Sequence, residues 1–176
     1  MEIPFFMLVI LGLGSNKSFG SHSCMELLSL AVGKLGGFID GLVVSSVYKT
    51  AAMYVTDQDD FYNMVVSGDY SGTPRQLLEK IHEVEAQLGR DRSREIRNGP
   101  RSIDIDIEMF GRESVREADL VIPHERLEER AFVLKPLLEI AEKDADKFNA
   151  DIFYTVPYLE EKLRKLGDQR IERISV

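Results

Sequence analysis

Six periodic segments follow one another between Met7 and Gly111, and their order restricts the chain to few folds. Met7 to Gly12 is a continuous apolar run closed by glycine, as in a central strand buried on both faces. Gly14-Ser15-Asn16 is turn chemistry. A helix is then expected from about Cys24 to Lys34, with Met25, Leu27, Leu28, Leu30, Ala31 and Leu35 apolar and Gly36-Gly37 ending it. Leu42 to Tyr48 is rich in β-branched residues and reads as a second strand, Phe61 to Tyr70 as a third, with Lys49 to Asp60 a returning loop. Thr73-Pro74 can cap and open a second helix, which runs to about Leu88 and stops at Gly89. Ile103 to Phe110 alternates strictly, giving a fourth strand ended by Gly111. The order β-α-β-β-α-β is that of the ferredoxin-like, split βαβ arrangement. The expectation is therefore an α+β fold with a mainly antiparallel sheet and helices on one face. From Leu120 a short strand and helical stretches around Arg130–Ala141 and Val156–Leu166 add a C-terminal strand and helix extension.

With 176 residues, no repeat and no linker, residues 1–176 read as a single domain. The net charge of -8 argues against a nucleic-acid partner, which requires a broad basic face. It also means that an anionic ligand has to be met by a local basic patch. The single cysteine, Cys24, excludes an internal disulfide and a multi-cysteine zinc site. Ile3 to Leu13 is almost wholly apolar and resembles a secretory segment, but Glu2 stands where positive charge is expected. The run is too short to span a bilayer. A buried strand, no membrane partner and a cytoplasmic location are the expectation.

The sharpest local feature is Arg101-Ser-Ile-Asp104-Ile-Asp106-Ile107. On a strand, Asp104 and Asp106 project to one side and the isoleucines to the other. Two carboxylates roughly 6.6 Å apart along one face can hold Mg²⁺ between them. Neighbouring acids are unfavourable in a strand unless a cation offsets them. The alternative is the solvated face of an amphipathic strand. Upstream, five arginines (90, 92, 94, 97 and 101) fall within twelve residues that show no periodicity. Arginine's fork suits phosphate oxygens, and such a loop can neutralise charge during phosphoryl transfer. A plain solvated loop is the other reading. Gly12-Leu-Gly14-Ser-Asn-Lys17 has neither the third glycine of a dinucleotide fingerprint nor the GK[ST] of a P-loop, so it reads as a glycine turn.

Together these residues closely resemble the 6-hydroxymethyl-7,8-dihydropterin pyrophosphokinase family, over the span from Leu8 to about Ala141. The resemblance is carried by Leu11-Gly-Leu-Gly-Ser-Asn16, Ser45-Ser-Val-Tyr-Lys-Thr50, Gly99-Pro-Arg-Ser-Ile-Asp-Ile-Asp-Ile107, and Pro123-His124 through Arg130-Ala-Phe-Val-Leu-Lys-Pro136. It implies an ATP-dependent diphosphotransferase of folate biosynthesis, with ATP and 6-hydroxymethyl-7,8-dihydropterin as small-molecule substrates and a monomer or weak homodimer. By position it assigns Asp104 and Asp106 to two Mg²⁺ ions, and Arg92 and Arg101 to the triphosphate during catalysis. His82, Glu85, Arg97, Ile107 (through its backbone), His124 and Arg130 fall at ATP-site positions, His82 standing where glutamine is common. Phe61 and Phe132 would sandwich the flat ring, gaining roughly 1 kcal/mol each from offset stacking. Asn63 and the backbone around Thr50, Ala52 and Met53 would read its amide-like edge. Where the family usually shows Thr-Pro-x-x-Gly, this chain reads Thr50-Ala-Ala-Met-Tyr54.

On the residues alone, Phe61 and Phe132 read first as core aromatics, and His124 after a proline can start a helix. Two other functions keep part of this pattern. Nucleotidyl transfer on a two-aspartate sheet would release pyrophosphate, and a silent pterin- or nucleotide-binding module would bind without turnover.

Overall fold

The computed structural model describes residues 6–53, 57–94 and 99–174. In chain order the elements are β1 (Met7–Ser15), α1 (Cys24–Leu35), β2 (Asp40–Val44), β3 (Tyr48–Thr50), β4 (Phe61–Tyr70), α2 (Pro74–Gln87), β5 (Asp104–Phe110), β6 (Val115–Glu117), β7 (Leu120–Ile122), α3 (Ala131–Lys143), α4 (Ala145–Asp151), α5 (Val156–Leu166) and β8 (Ile171–Arg173). Capping boxes set both early helices: Ser23 and Glu26 exchange hydrogen bonds at the start of α1, Thr73 and Gln76 at the start of α2. Both helices then bury one apolar stripe.

The main sheet runs β5-β1-β4-β3-β8, with β2 also on β4, and every pairing is antiparallel. A second, two-stranded sheet joins β6 and β7. The first strand extends to Ser15, past the expected turn at Gly14, because β4 pairs with it along its whole length. The run expected to be one strand over 42–48 is two. At the break, the Ser45 hydroxyl accepts the Val65 N–H at 3.0 Å, and the Ser46 N–H and hydroxyl both donate to Glu139 at 3.0 Å. Two serines have diverted the groups a ladder would use.

Helices cover both faces of the sheet, not one. Val9, Leu11, Leu13 and Val66 pack against α1 and α2. Leu8, Ile10, Val65 and Met109, on the opposite face, pack against α3, α4 and α5. A central strand that is apolar on both sides needs cover on both sides. The second layer leaves one end of its face open, and the cleft lies there. Among the described residues, no helix is long and apolar enough to cross a membrane.

Candidate active site

Gly12 and Gly14 of β1 form the floor of the cleft. A Cβ at Gly14 would stand 2.9 Å from Asn63 Oδ1, and one at Gly12 would stand 2.7 Å from Glu108 Oε1. Side chains from β4 and β5 thus lean across the bare backbone between them, which only glycine permits at this distance. Over this floor opens a cavity with about 730 Å³ of free space, its mouth included. Phe61, Asn63, Thr50 and Met53 line one side; Asp104, Glu108, Arg101 and Arg130 line the other, with Phe132 at the start of α3. Both phenylalanines are half-buried walls of this cavity, and Phe132 also packs against the core under α3 to α5. Asn63 is buried and donates to Thr50 Oγ1 at 2.8 Å. Ala51, not the expected Ala52, is the loop alanine that lines the cavity.

Asp104 and Asp106 share a face of β5, while Ile105 and Ile107 go to the α1/α2 core. Arg90 and Arg101 both donate to Asp104, Arg101 at 2.7 Å. Arg130 reaches Asp106 at 3.3 Å. Burial opposes ionisation of Asp104, but Arg90 and Arg101 outweigh it and hold that carboxyl below the usual range. Asp106 is pushed up to about 6, first by desolvation and then by the charge on Asp104. His124 lies with Nε2 3.9 Å from Asp106 and accepts the Arg126 N–H on Nδ1 at 3.1 Å. Burial, helped by Arg130, takes its imidazole down to about 4, so it is neutral at physiological pH.

Glu85 stands behind the cleft. It is 1% exposed and accepts from Arg90, from Arg92 at 2.5 Å, and from the Ile105 N–H at 2.8 Å. Its carboxylate therefore anchors the arginine segment to β5. Ile105 donates outward to it, and the two-residue repeat of an edge strand turns the Ile107 backbone the same way. Half-buried His82 sits one turn before Glu85, its imidazole held below the ordinary value by burial and by Arg92 and Arg90. Arg97 lies outside the described residues.

Two further residues belong to the site: Arg90, which the sequence offers only as one of five loop arginines, and Glu108, which goes unnoticed there. Arg90 follows Gly89, whose φ of 88° turns the chain back, and its side chain is buried between Glu85 and Asp104. Glu108 is the extra residue of a bulge, since Ile10 pairs with Met109 and Leu11 with Ile107. Burial and then Asp106 push the Glu108 carboxyl up to about 8. The signal for it was present: the alternation that aligns Asp104 with Asp106 continues to 108.

The donor set fits a hard divalent cation. Two partly exposed carboxylates share a strand face, Asp104 on the cavity and Asp106 beside it, among guanidinium groups. No third acidic, histidine or cysteine ligand gathers with them among the described residues. Magnesium, which keeps water and takes phosphate oxygens, suits such an incomplete protein shell.

A family model described as 7,8-dihydro-6-hydroxymethylpterin-pyrophosphokinase (HPPK) matches residues 10–142. The chain is 42% identical over 166 residues to 2-amino-4-hydroxy-6-hydroxymethyldihydropteridine pyrophosphokinase of Methylorubrum extorquens, covering 93% of this chain and 96% of that one. It is 44% identical over 111 residues to the protein of the same name in Bacillus subtilis, 61% of this chain and 65% of the other. Against the mitochondrial folate synthesis bifunctional protein of Pisum sativum the figures are 41% over 132 residues, 75% of this chain but only 25% of that longer protein. Plasmodium falciparum HPPK-DHPS, solved with pterin and p-hydroxybenzoate, superposes with a TM-score of 0.64 at 14% identity. That likeness covers 100% of this chain and 48% of the other, and speaks for the fold alone. The family match spans both walls of the cleft, the aspartate strand included, and the chain belongs to the 7,8-dihydro-6-hydroxymethylpterin-pyrophosphokinase family.

Proposed function

We propose that this chain transfers the diphosphoryl group of ATP to the hydroxymethyl group of 6-hydroxymethyl-7,8-dihydropterin, releasing AMP, as a step of folate biosynthesis. One observation carries the proposal: Asp104 lines the same cavity as Asn63, Phe61 and Phe132, so a phosphate-side group and a ring-binding wall share one cleft. The alcohol oxygen bonds to the β-phosphorus as the bond from that phosphorus to the α–β bridging oxygen breaks. AMP leaves with the bridging oxygen, and the hydroxyl proton passes to water.

Asp104 and Asp106 would hold magnesium, two ions by the family resemblance, and the metal would supply neutralisation of phosphate charge and acidification of the alcohol. Arg101 and Arg130, paired with the aspartates in the free chain, turn to phosphate oxygens when ATP is bound, and exposed Arg92 closes from the rim. Neutral His124 offers one ring nitrogen beside the phosphate path, and Glu85, His82, Ile107 and Arg97 complete the nucleotide side. Asn63, Thr50, Ala51 and Met53 read the ring's polar edge while Phe61 and Phe132 face its planes. The sheet order is consistent with a ferredoxin-like core bearing a C-terminal extension of α4, α5 and β8. We take residues 1–176 as a single domain, a monomer or weak homodimer in the cytoplasm, without nucleic-acid or membrane partners.

Incubating the purified chain with MgATP and the dihydropterin alcohol tests this directly. AMP and the pterin diphosphate should form in equal amounts. ADP as product would exclude diphosphoryl transfer, free pyrophosphate would favour nucleotidyl transfer, and binding without turnover would favour a silent module.

A further inference from the structure

Glu108 takes no part in the reaction described above, yet its burial needs a reason. The residue is 1% exposed, lines the cavity, and has a buried Oε2 with no hydrogen-bond partner among the described residues. An unpaired carboxyl oxygen in that setting is costly, and an apolar side chain of equal length would fill the space without the cost. The floor is also shaped for it: a Cβ at residue 12 would stand 2.7 Å from Glu108 Oε1 and 3.4 Å from Cγ, so glycine leaves the carboxyl its room. A burden on folding that persists inside a ligand cavity points to a partner that arrives with the ligand.

The cavity suggests what that partner is. Its aromatic walls suit a flat ring, and its polar atoms stand on opposite sides of the glycine floor. On the β4 side, the Asn63 amide nitrogen is committed to Thr50, which leaves Oδ1 as an acceptor directed over Gly14. On the β5 side, Oε2 of Glu108 is a second acceptor. A dihydropterin carries N–H donors on both its pyrimidine and pyrazine rings. We infer that Glu108 is a specificity-determining residue for the ring, its Oε2 accepting an N–H of the bound pterin across the Gly12–Gly14 floor from Asn63. The inference rests on the pterin reading of this cleft. It assigns Glu108 to the ring rather than to the phosphates or the cation.

Two substitutions test it, Glu108→Met and Glu108→Gln. Titration calorimetry on the whole chain would measure affinity for 6-hydroxymethyl-7,8-dihydropterin and, separately, for a non-hydrolysable ATP analogue with Mg²⁺; thermal melting would be followed without ligand. The Met variant should melt no lower than the parent, lose about tenfold or more in pterin affinity, and keep nucleotide affinity within about twofold. The Gln variant retains an acceptor oxygen and should keep pterin affinity within about threefold. Undiminished pterin binding by the Met variant would overturn the inference, as would equal losses in both variants. A loss confined to the nucleotide would move Glu108 to the phosphate side and overturn it too, and a Met variant that fails to fold would refute the premise of a costly carboxyl. If the parent chain itself binds no pterin, the functional reading falls; if the parent binds and Glu108→Met binds equally, only this inference does.

Discussion

At the residue scale, the site is built of charges that hold one another in place before any ligand arrives. Asp106 is loosely held among them, with Arg130 at 3.3 Å and Asp104 repelling it from the same face. Asp106→Asn should therefore reduce kcat by on the order of 10²–10³-fold without lowering the melting temperature, because a repelling charge is removed together with a cation ligand. A normal turnover number in the folded variant would remove Asp106 from the machinery. Glu85 is the opposite case. Truncation to Ala deprives the buried Arg90 guanidinium of a carboxylate partner and leaves the Ile105 N–H unpaired, and should cost about 3–5 kcal/mol in chemical denaturation. A loss below 1 kcal/mol would mean that the cluster rearranges at little cost. The two aspartates are legible in the sequence because strand alternation alone aligns them. Arg90 is not, since a run of arginines does not say which one the fold will bury, and Glu85 is marked by the family resemblance alone, because a helical glutamate otherwise reads as solvated. Glu108 needed only the same alternation carried one step further.

Among the elements, α3 delivers two wall residues, Arg130 and Phe132, and its start is not capped by its own N-cap side chain. The cap comes from far along the chain: Gln169 accepts the Ala131 N–H at 3.0 Å and donates to the Glu129 carbonyl at 3.0 Å. Just beyond it, β8 adds to the outer edge of β3, whose last residue is Thr50 of the opposite wall. The C-terminal segment thus braces both sides of the ring pocket. Gln169→Ala should cost about 1 kcal/mol, as other cap deletions do, and raise KM for the pterin several-fold while KM for ATP stays near that of the parent. Equal rises in both KM values would show general loosening instead. None of this was readable beforehand. Three residues are too few for alternation to mark β8 or β6, and a glutamine between Asp168 and Arg170 carries no pattern. The long elements α1, α2, β4, β5 and α5 were readable because caps, glycines and sustained periodicity agree at their ends.

For the whole molecule, the question is what ties the second helical layer to the sheet, since that layer carries half the cleft. Helices on a single face were expected, but β1 buries both of its faces, and the closing contact on the far side runs through Glu139 of α3. Its carboxylate accepts from the Ser46 N–H and hydroxyl and from the Tyr48 hydroxyl, all at 3.0 Å, with Arg173 of β8 at 3.8 Å. One side chain therefore joins α3, the β2–β3 break, β3 and β8. Burial acts against its ionisation, but the Ser46 N–H, the Tyr48 and Ser46 hydroxyls and Arg173 together hold it below the usual glutamate range. Burial and Glu139 in turn keep the Tyr48 hydroxyl at about 12, so it remains a donor throughout the accessible range. Because the folded carboxyl ionises more readily than the unfolded one, its stabilisation is fully present above about pH 4.5 and is lost as pH falls through the folded value. Glu139→Gln keeps one acceptor oxygen but no charge, and should be about 1–2 kcal/mol less stable than the parent at pH 7, a melting shift of about 3–6 °C. That gap should narrow steadily below about pH 4 as the parent's own carboxyl protonates. A gap that holds constant from pH 7 to pH 3 would mean that Glu139 works by shape alone, and that the second layer is held to the sheet by its apolar contacts.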